Sequence, residues 1–220
     1  MALPTYLELV NDILVRMREP EVSTVQENTL SKLVGKLVND SKRQVEDAYN
    51  WNCLTATLTA VTEANTFNYG LTGVGQRFKV IDVYNSTAKK QMKAASTASL
   101  NSMFLTAGAI PETGSPDYYN FNGVTAVGDT QVDVYPVPTG AETLFFNLYV
   151  PQDKLSADSD AMLVPEEPVI LGAFARALVE RGEDGGLSSS EAYALYKASL
   201  ADAIAIESSR YVEEDAWEAV

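Results

Sequence analysis

Hydrophobic residues recur every three or four positions at both ends of the chain and alternate every second position in between. At the N-terminal end Pro4, Tyr6, Leu7, Leu9, Val10, Ile13, Leu14 and Met17 predict a short helix whose apolar face takes in well over a third of its circumference, with Tyr6 off the stripe. Arg18-Glu19-Pro20 interrupts it. Ser23 or Thr24 then offers a cap for a second, longer helix, with Gln26 and Glu27 in its first turn. Leu30, Leu33, Val34, Leu37, Val38, Ser41, Val45, Ala48 and Tyr49 sustain one stripe, while Lys32, Lys36, Asn39, Asp40, Lys42, Arg43 and Glu46 fall mostly outside it. Gly35 costs this helix about 1 kcal/mol relative to alanine, which points to close packing or to tolerance.

After Trp51 the period changes. Leu54, Ala56, Leu58 and Ala60 alternate with threonines, as in a half-buried strand. Residues 65–75, rich in glycine, asparagine and aromatics, predict a loop. A strand over 77–84 follows, then a turn at Asn85-Ser86-Thr87 and a short helix over 96–105. Strands over 117–127 and 130–135 flank Gly128-Asp129, a two-residue hairpin connection. Pro136, Pro138 and Gly140 end the hairpin, and 143–150 is one more strand before a polar loop to Val164.

From Pro165 helical spacing returns. Glu166 and Glu167 suit a first turn, where the helix dipole favours carboxylates. Val169, Ile170, Ala173, Phe174, Ala177 and Leu178 form one buried face. Gly182, Gly185 and Gly186, with Glu183 and Asp184, make a turn, and Ser190 is a candidate cap for the next helix. That helix carries Ala192, Leu195, Tyr196, Ser199, Leu200, Ala203, Ile204, Glu207 and Tyr211 on its stripe, with Tyr193 and Ile206 off it. Small residues let the two axes approach closely as an antiparallel pair.

Segregated helices and strands predict an α+β protein: a four-helix body formed from the N- and C-terminal segments, with an inserted antiparallel β lobe. The expected divisions are 1–51 and 165–212 for the helical body, 52–164 for the lobe, and 213–220 for an acidic C-terminal tail.

Composition narrows the chemistry. The 220 residues include no histidine and a single cysteine, Cys53, so Ser-His-Asp and Cys-His pairs, imidazole ligation, an internal disulfide and a thiolate zinc cage are all excluded. Cys53 is expected to be a small core residue. A formal net charge of -14 disfavours a broad attractive surface for phosphates or anionic lipid. No leader pattern or membrane-length apolar run is present, so the chain is expected to be soluble, made in the cytosol and not membrane-bound. Carboxylates that could be enlisted for hydrolysis, such as Asp153, Asp158, Asp160, Glu166 and Glu167, lie in polar loop or at a helix start, where solvation and capping account for them. Asp158-Ser159-Asp160 lacks the glycine and distal glutamate of a calcium loop, and Gly73-Val74-Gly75 precedes a strand instead of a helix, so neither marks a ligand site. No catalytic residue, metal or cofactor is expected.

Leu7-Glu8-Leu9-Val10-Asn11-Asp12-Ile13-Leu14, followed by Glu19-Pro20 and Val22-Ser23-Thr24, the long helix ending in Trp51, and the C-terminal block from Pro165-Glu166 through Ala175-Arg176-Ala177, Glu180 to Gly186 and Ala192-Tyr193 to Tyr196-Lys197 together resemble the head-to-tail adaptor family of tailed phages, the group that includes tail tubular protein A. The resemblance covers about half of the chain, at its two ends. It implies a virion structural protein at the head-tail junction, not an enzyme: a ring of helical bodies, commonly a dodecamer, under the portal protein, with a terminal extension reaching the neighbouring ring. The β lobe would face outward or toward the next tail or nozzle protein, and DNA would pass through the channel without specific recognition.

Ring closure needs two different patches on each subunit. Tyr6, Tyr193 and Ile206 are the candidate inter-subunit contacts. Residues 142–220 carry sixteen acidic and five basic side chains, a difference of -11, against +4 over 77–93. Carboxylates along a lumen would let duplex DNA slide without sticking. In the tail, Glu213, Glu214, Asp215, Trp217 and Glu218 are the candidate portal-docking residues, the indole being a common anchor. The alternative is a tail or baseplate accessory protein whose β lobe binds a protein or sugar, without portal contact.

Overall fold

The computed structural model describes residues 3–106, 111–182 and 187–210. Among them the chain forms helices α1 (Tyr6–Arg16), α2 (Thr29–Ala48), α3 (Thr97–Thr106), α4 (Glu166–Arg181) and α5 (Leu187–Ser208), and strands β1 (Thr55–Val61), β2 (Asn68–Leu71), β3 (Lys79–Asn85), β4 (Lys90–Gln91), β5 (Lys93–Ala94), β6 (Tyr118–Val124), β7 (Thr130–Tyr135) and β8 (Thr143–Tyr149). It is an α+β protein. Its contacts separate into two compact units, one from Met1–Leu54 with Gln152–Val220 and one from Thr55–Pro151.

In the first unit, α1 opens on a capping box. The Thr5 hydroxyl accepts from the Glu8 amide at 3.3 Å, and the Thr5 amide donates to the Glu8 carboxylate at 2.7 Å. The second helix starts later than a Ser23 or Thr24 cap would place it. Residues 24–27 make only one turn, because the Val25 amide donates to Asp158 Oδ1 at 3.0 Å and its carbonyl accepts from Ser31 Oγ at 2.9 Å. With Val25 held by tertiary partners, Asn28 becomes the cap and forms a capping box with Ser31. Gly35 is a close-packing glycine: a Cβ there would stand 2.4 Å from the Tyr6 hydroxyl and 2.8 Å from Val25 Cγ1.

Helix α4 packs on α1, α2 and α5 and is buried on more than the single face its spacing predicts. Residues Val169 to Ala173 are all buried, as an element surrounded by three others requires. Small residues make this possible. At Gly172 a Cβ would meet Ser41 Oγ at 3.1 Å and the Tyr196 ring at 3.2 Å. The helix ends at Gly182, whose φ of 65° is a left-handed cap. Helix α5 starts at Leu187, so Ser190 lies inside it and is not its cap. Residues 183–186, the rest of the expected glycine turn, lie outside the described residues.

Lys42 and Glu46 also depart from expectation. They fall off the apolar stripe of α2, yet both are buried, and their charges pair at 2.8 Å. Lys42 Nζ donates to the carbonyls of Gln152 (2.7 Å) and Asp153 (3.0 Å), and Glu46 Oε1 accepts from the Gln152 amide at 3.2 Å. One turn earlier Asn39 reads Leu155 with both amide atoms, donating to its carbonyl at 3.1 Å and accepting from its amide at 2.8 Å. Asn39, Lys42 and Glu46 therefore form a row along α2 that gives partners to backbone groups of Gln152, Asp153 and Leu155.

The second unit holds two four-stranded sheets, ordered β1-β8-β3-β4 and β2-β7-β6-β5. Pairing is antiparallel except for the short β5 to β6 contact. Leu144, Phe146 and Leu148 of β8 meet Val132 and Val134 of β7 in a core with Val83 and Tyr119. A bulge between Val80 and Asp82 lets β3 turn both Val80 and Val83 inward and leaves Ile81 exposed. Residues 68–71, expected as loop, form β2 against β7. The hairpin between β6 and β7 is longer than Gly128-Asp129 alone, spanning 125–129 with the Thr125 amide donating to the Asp129 carbonyl at 2.7 Å.

Two outcomes follow for stability. Replacing Lys42 by methionine strands the Glu46 charge and should cost about 3–5 kcal/mol in urea unfolding. The Lys42→Met/Glu46→Leu double change should recover only part of this, because the Gln152 and Asp153 carbonyls still lose their donor. Asp160 accepts from the Ser156 and Ala157 amides at 2.7 and 2.8 Å, and these bonds hold its carboxyl below the usual range. Since the folded-state pKa is the lower one, this stabilisation is complete above the ordinary carboxylate range and lost as pH falls through the folded value. Asp160→Asn should therefore flatten part of the acid limb of the stability profile, read as urea midpoints from about pH 6 to about pH 2.5.

Candidate functional site

Helix α5 carries the surface that distinguishes the helical unit. Its apolar residues lie all around its circumference, more than one neighbour can cover. Ala192, Tyr196 and Glu207 turn toward α4 and the core, whereas Tyr193 is 52%, Leu195 59% and Ile206 60% exposed. Leu195 thus leaves the stripe that the periodicity assigned to it. At 100° per residue, Tyr193 stands on one flank of the buried stripe and Leu195 with Ile206 on the other. Ala194, Ala198, Ala201 and Ala205 occupy the outer face between them. Tyr193 is held in place by the Tyr196 ring, 5.7 Å away, and by Lys197 Nζ, 5.4 Å above its own ring.

Tyr6 belongs elsewhere. It is 5% exposed and sits in the core, its hydroxyl accepting from Asn39 Nδ2 at 3.3 Å beside Gly35. Burial pushes its phenol up from the usual value. Only the bare backbone of Gly35 leaves room for that ring. Glu213, Glu214, Asp215, Trp217 and Glu218 lie outside the described residues, as does Tyr211.

Two clefts open on the same unit. One, of about 440 Å³, gathers the carboxylates of Glu8, Asp12, Glu166 and Glu167 from α1 and α4. Arg16 bridges two of them, 4.0 Å from Asp12 and 3.9 Å from Glu167. The other is a groove of about 600 Å³ between the N-terminal segment at Leu3, the turn Asn52–Leu54, residues 163–166 and the last turns of α5. Trp51 closes its inner side, its indole N–H donating to the Val45 carbonyl at 2.6 Å. Glu207 fastens the turn to α5 by accepting from the Asn52 amide at 2.8 Å, and its second oxygen pairs with Arg210 at 2.9 Å. Cys53 lines this groove and is exposed, not a core residue. Burial of its flank, and secondarily the Glu207 charge, push its thiol up.

Two of the carboxylates open to enlistment for hydrolysis, Asp158 and Asp160, have structural work. Asp158 caps Val25, Asp160 closes the turn at Ser156, and the carbonyls of Asp160 and Asp158 accept from the Tyr6 and Leu7 amides at 2.8 and 3.1 Å. Among the described residues no three acidic or thiol side chains are grouped as metal ligands, and no helix is long and apolar enough to cross a membrane. In the second unit the basic segment is partly spent inside the lobe, Lys90 pairing with Asp117. Periodicity could find the flanks of α5; it could not find the groove, whose walls come from four separated stretches.

No curated protein matches the chain. A family model described as SU10 adaptor protein matches residues 4–217, which spans both helical ends and the inserted strands. The chain belongs to the SU10 adaptor protein family, a family of phage head-to-tail adaptors.

Proposed function

We propose that this adaptor forms a ring that joins the portal to the tail and lines part of the DNA channel, with α5 as the wall between neighbouring subunits. A closed ring needs two unlike patches on each protomer. Tyr193 on one flank of α5, and Leu195 with Ile206 on the other, are the observation that carries this reading. Apolar side chains of this size on both flanks of a single helix are costly to leave in water and favourable to cover. The alanines between them allow close approach of a second backbone.

The tail at 213–220 is the proposed portal-docking segment, with Trp217 as anchor and Glu213, Glu214, Asp215 and Glu218 facing basic groups of the portal. The sheet-rich unit receives the next tail or nozzle protein. A net charge of -14 supports a channel that DNA crosses without being held. Catalysis has no part in this function, which is one of assembly.

The test is native mass spectrometry of the chain alone and with portal rings, since subunits can stay monomeric until a portal templates them. The account expects a discrete ring, a dodecamer, on the portal. Tyr193→Glu should leave the thermal melt within about 0.5 kcal/mol of the parent, as exposed positions do, and abolish the ring. Removing 213–220 should weaken portal binding without unfolding the helical unit. A full ring formed by Tyr193→Glu, or unchanged portal capture without the tail, would refute the respective contact.

A further inference from the structure

Among the described residues the two sheets of the second unit end in four edge strands, β1 and β4 in one sheet and β2 and β5 in the other. An edge strand offers unpaired amides and carbonyls to any extended chain, and proteins blunt it with shortness, charge, glycine, proline or a bulge. Three of these edges are blunted. β4 and β5 have two residues each and carry Lys90 and Lys93, and β2 has four and carries Gly70. β1 has none of these devices. Its seven residues, Thr-Ala-Thr-Leu-Thr-Ala-Val, hold no charge, glycine or proline, and its register against β8 runs unbroken from Thr55 with Tyr149 to Val61 with Thr143. At roughly 3.3 Å per residue the open edge is about 23 Å long.

The groups on that edge can be named. The Thr62 amide donates to the Glu142 carbonyl at 2.8 Å in the same register, and on the far side of β8 the Ser86 amide donates to the Thr143 carbonyl at 2.9 Å. Ala56, Leu58 and Ala60 therefore bond to β8, and Thr55, Thr57, Thr59 and Val61 turn their amides and carbonyls to the open edge. Beside it a slit of about 260 Å³ opens, with Leu58, Ala60, Tyr69 and Leu71 among its walls. The Thr57 hydroxyl donates to Asn147 Oδ1 at 2.6 Å, which leaves its lone pairs to accept from a donor.

We propose that β1 is where the tail or nozzle protein that follows this adaptor docks, by adding an extended, uncharged segment of its own as a fifth strand of the β1-β8-β3-β4 sheet. Its backbone takes up the amides and carbonyls of Thr55, Thr57, Thr59 and Val61, one apolar side chain enters the slit, and a hydroxyl or amide donor faces Thr57. Charges on the segment would find no counter-charge on β1, which is why it is uncharged. The proposal rests on the reading that gives the sheet-rich unit to that protein, and adds to it the strand, the mode of binding and the chemistry of the segment.

The experiment is residue-resolved amide hydrogen exchange of the full chain, alone at several concentrations and with the purified following tail protein. In the chain alone the Ala56, Leu58 and Ala60 amides should be protected and those of Thr57, Thr59 and Val61 should exchange freely. With the tail protein bound, these three should slow by about tenfold or more while the other three stay as they were. Thr59→Pro removes an amide that β8 does not use and sets a ring in the path of the added strand, so it should keep the parent's thermal melt and weaken binding about tenfold or more. Thr59→Val keeps the edge backbone and should bind as the parent does. The exchange pattern of the parent needs no variant to fold. Binding to the sheet-rich unit with the Thr57, Thr59 and Val61 amides still exchanging freely would overturn the strand addition and leave the wider reading in place. No binding to that unit would overturn both. Slow exchange of these amides in the chain alone would overturn the proposal as well, a second copy being the occupant if the slowing grows with concentration.

Discussion

A lysine and a glutamate buried one turn apart on α2 hold the helical unit together. Two charges removed from water are tolerable only when their remaining donors and acceptors are used. Here Lys42 Nζ and Glu46 Oε1 are used on the backbone of Gln152 and Asp153, the point at which the chain enters the unit for the second time. With Asn39 fixing Leu155 and Asp158 fixing Val25, the returning segment becomes a lining of the helical body. A purely apolar row on α2 would bury as much surface, but it would leave these amides and carbonyls unmet.

The second constraint is room. An element with neighbours on three sides needs small residues wherever axes approach, and Gly172, Ala173 and Ala177 provide them in α4. Gly35 does the same for α2, admitting the Tyr6 ring. Among the described residues, helix α5 has no neighbour of its own unit on its outer side. Its exposed flanks are surface left over once the core is satisfied, which is why the assembly contacts are proposed there.

Much of this was legible from spacing. Both helical pairs, the strand at 55–61 and the α+β class follow from periods of about 3.6 and 2. The failures have local causes. Lys42 and Glu46 look like any solvated i,i+4 pair, and their burial depends on residues 110 positions away. The start of α2 moved because Val25 gives its amide to Asp158, a partner no local pattern could name. Asn68–Leu71 has a composition that suits a loop and becomes a strand only because β7 offers it an edge. Leu195 was misplaced because a helix apolar all round has no unique face. Cys53 was misplaced because its neighbours come from both ends of the chain. Tyr193 and Ile206, expected off the stripe, are both exposed.

Site-resolved amide hydrogen exchange in the intact chain tests the clamp on 152–155 directly. The account predicts that the Gln152 and Leu155 amides exchange only with the opening of the helical unit, at the same free energy as the core amides of α2 and α4. Exchange of those two amides at loop-like rates while α2 and α4 stay protected would contradict it.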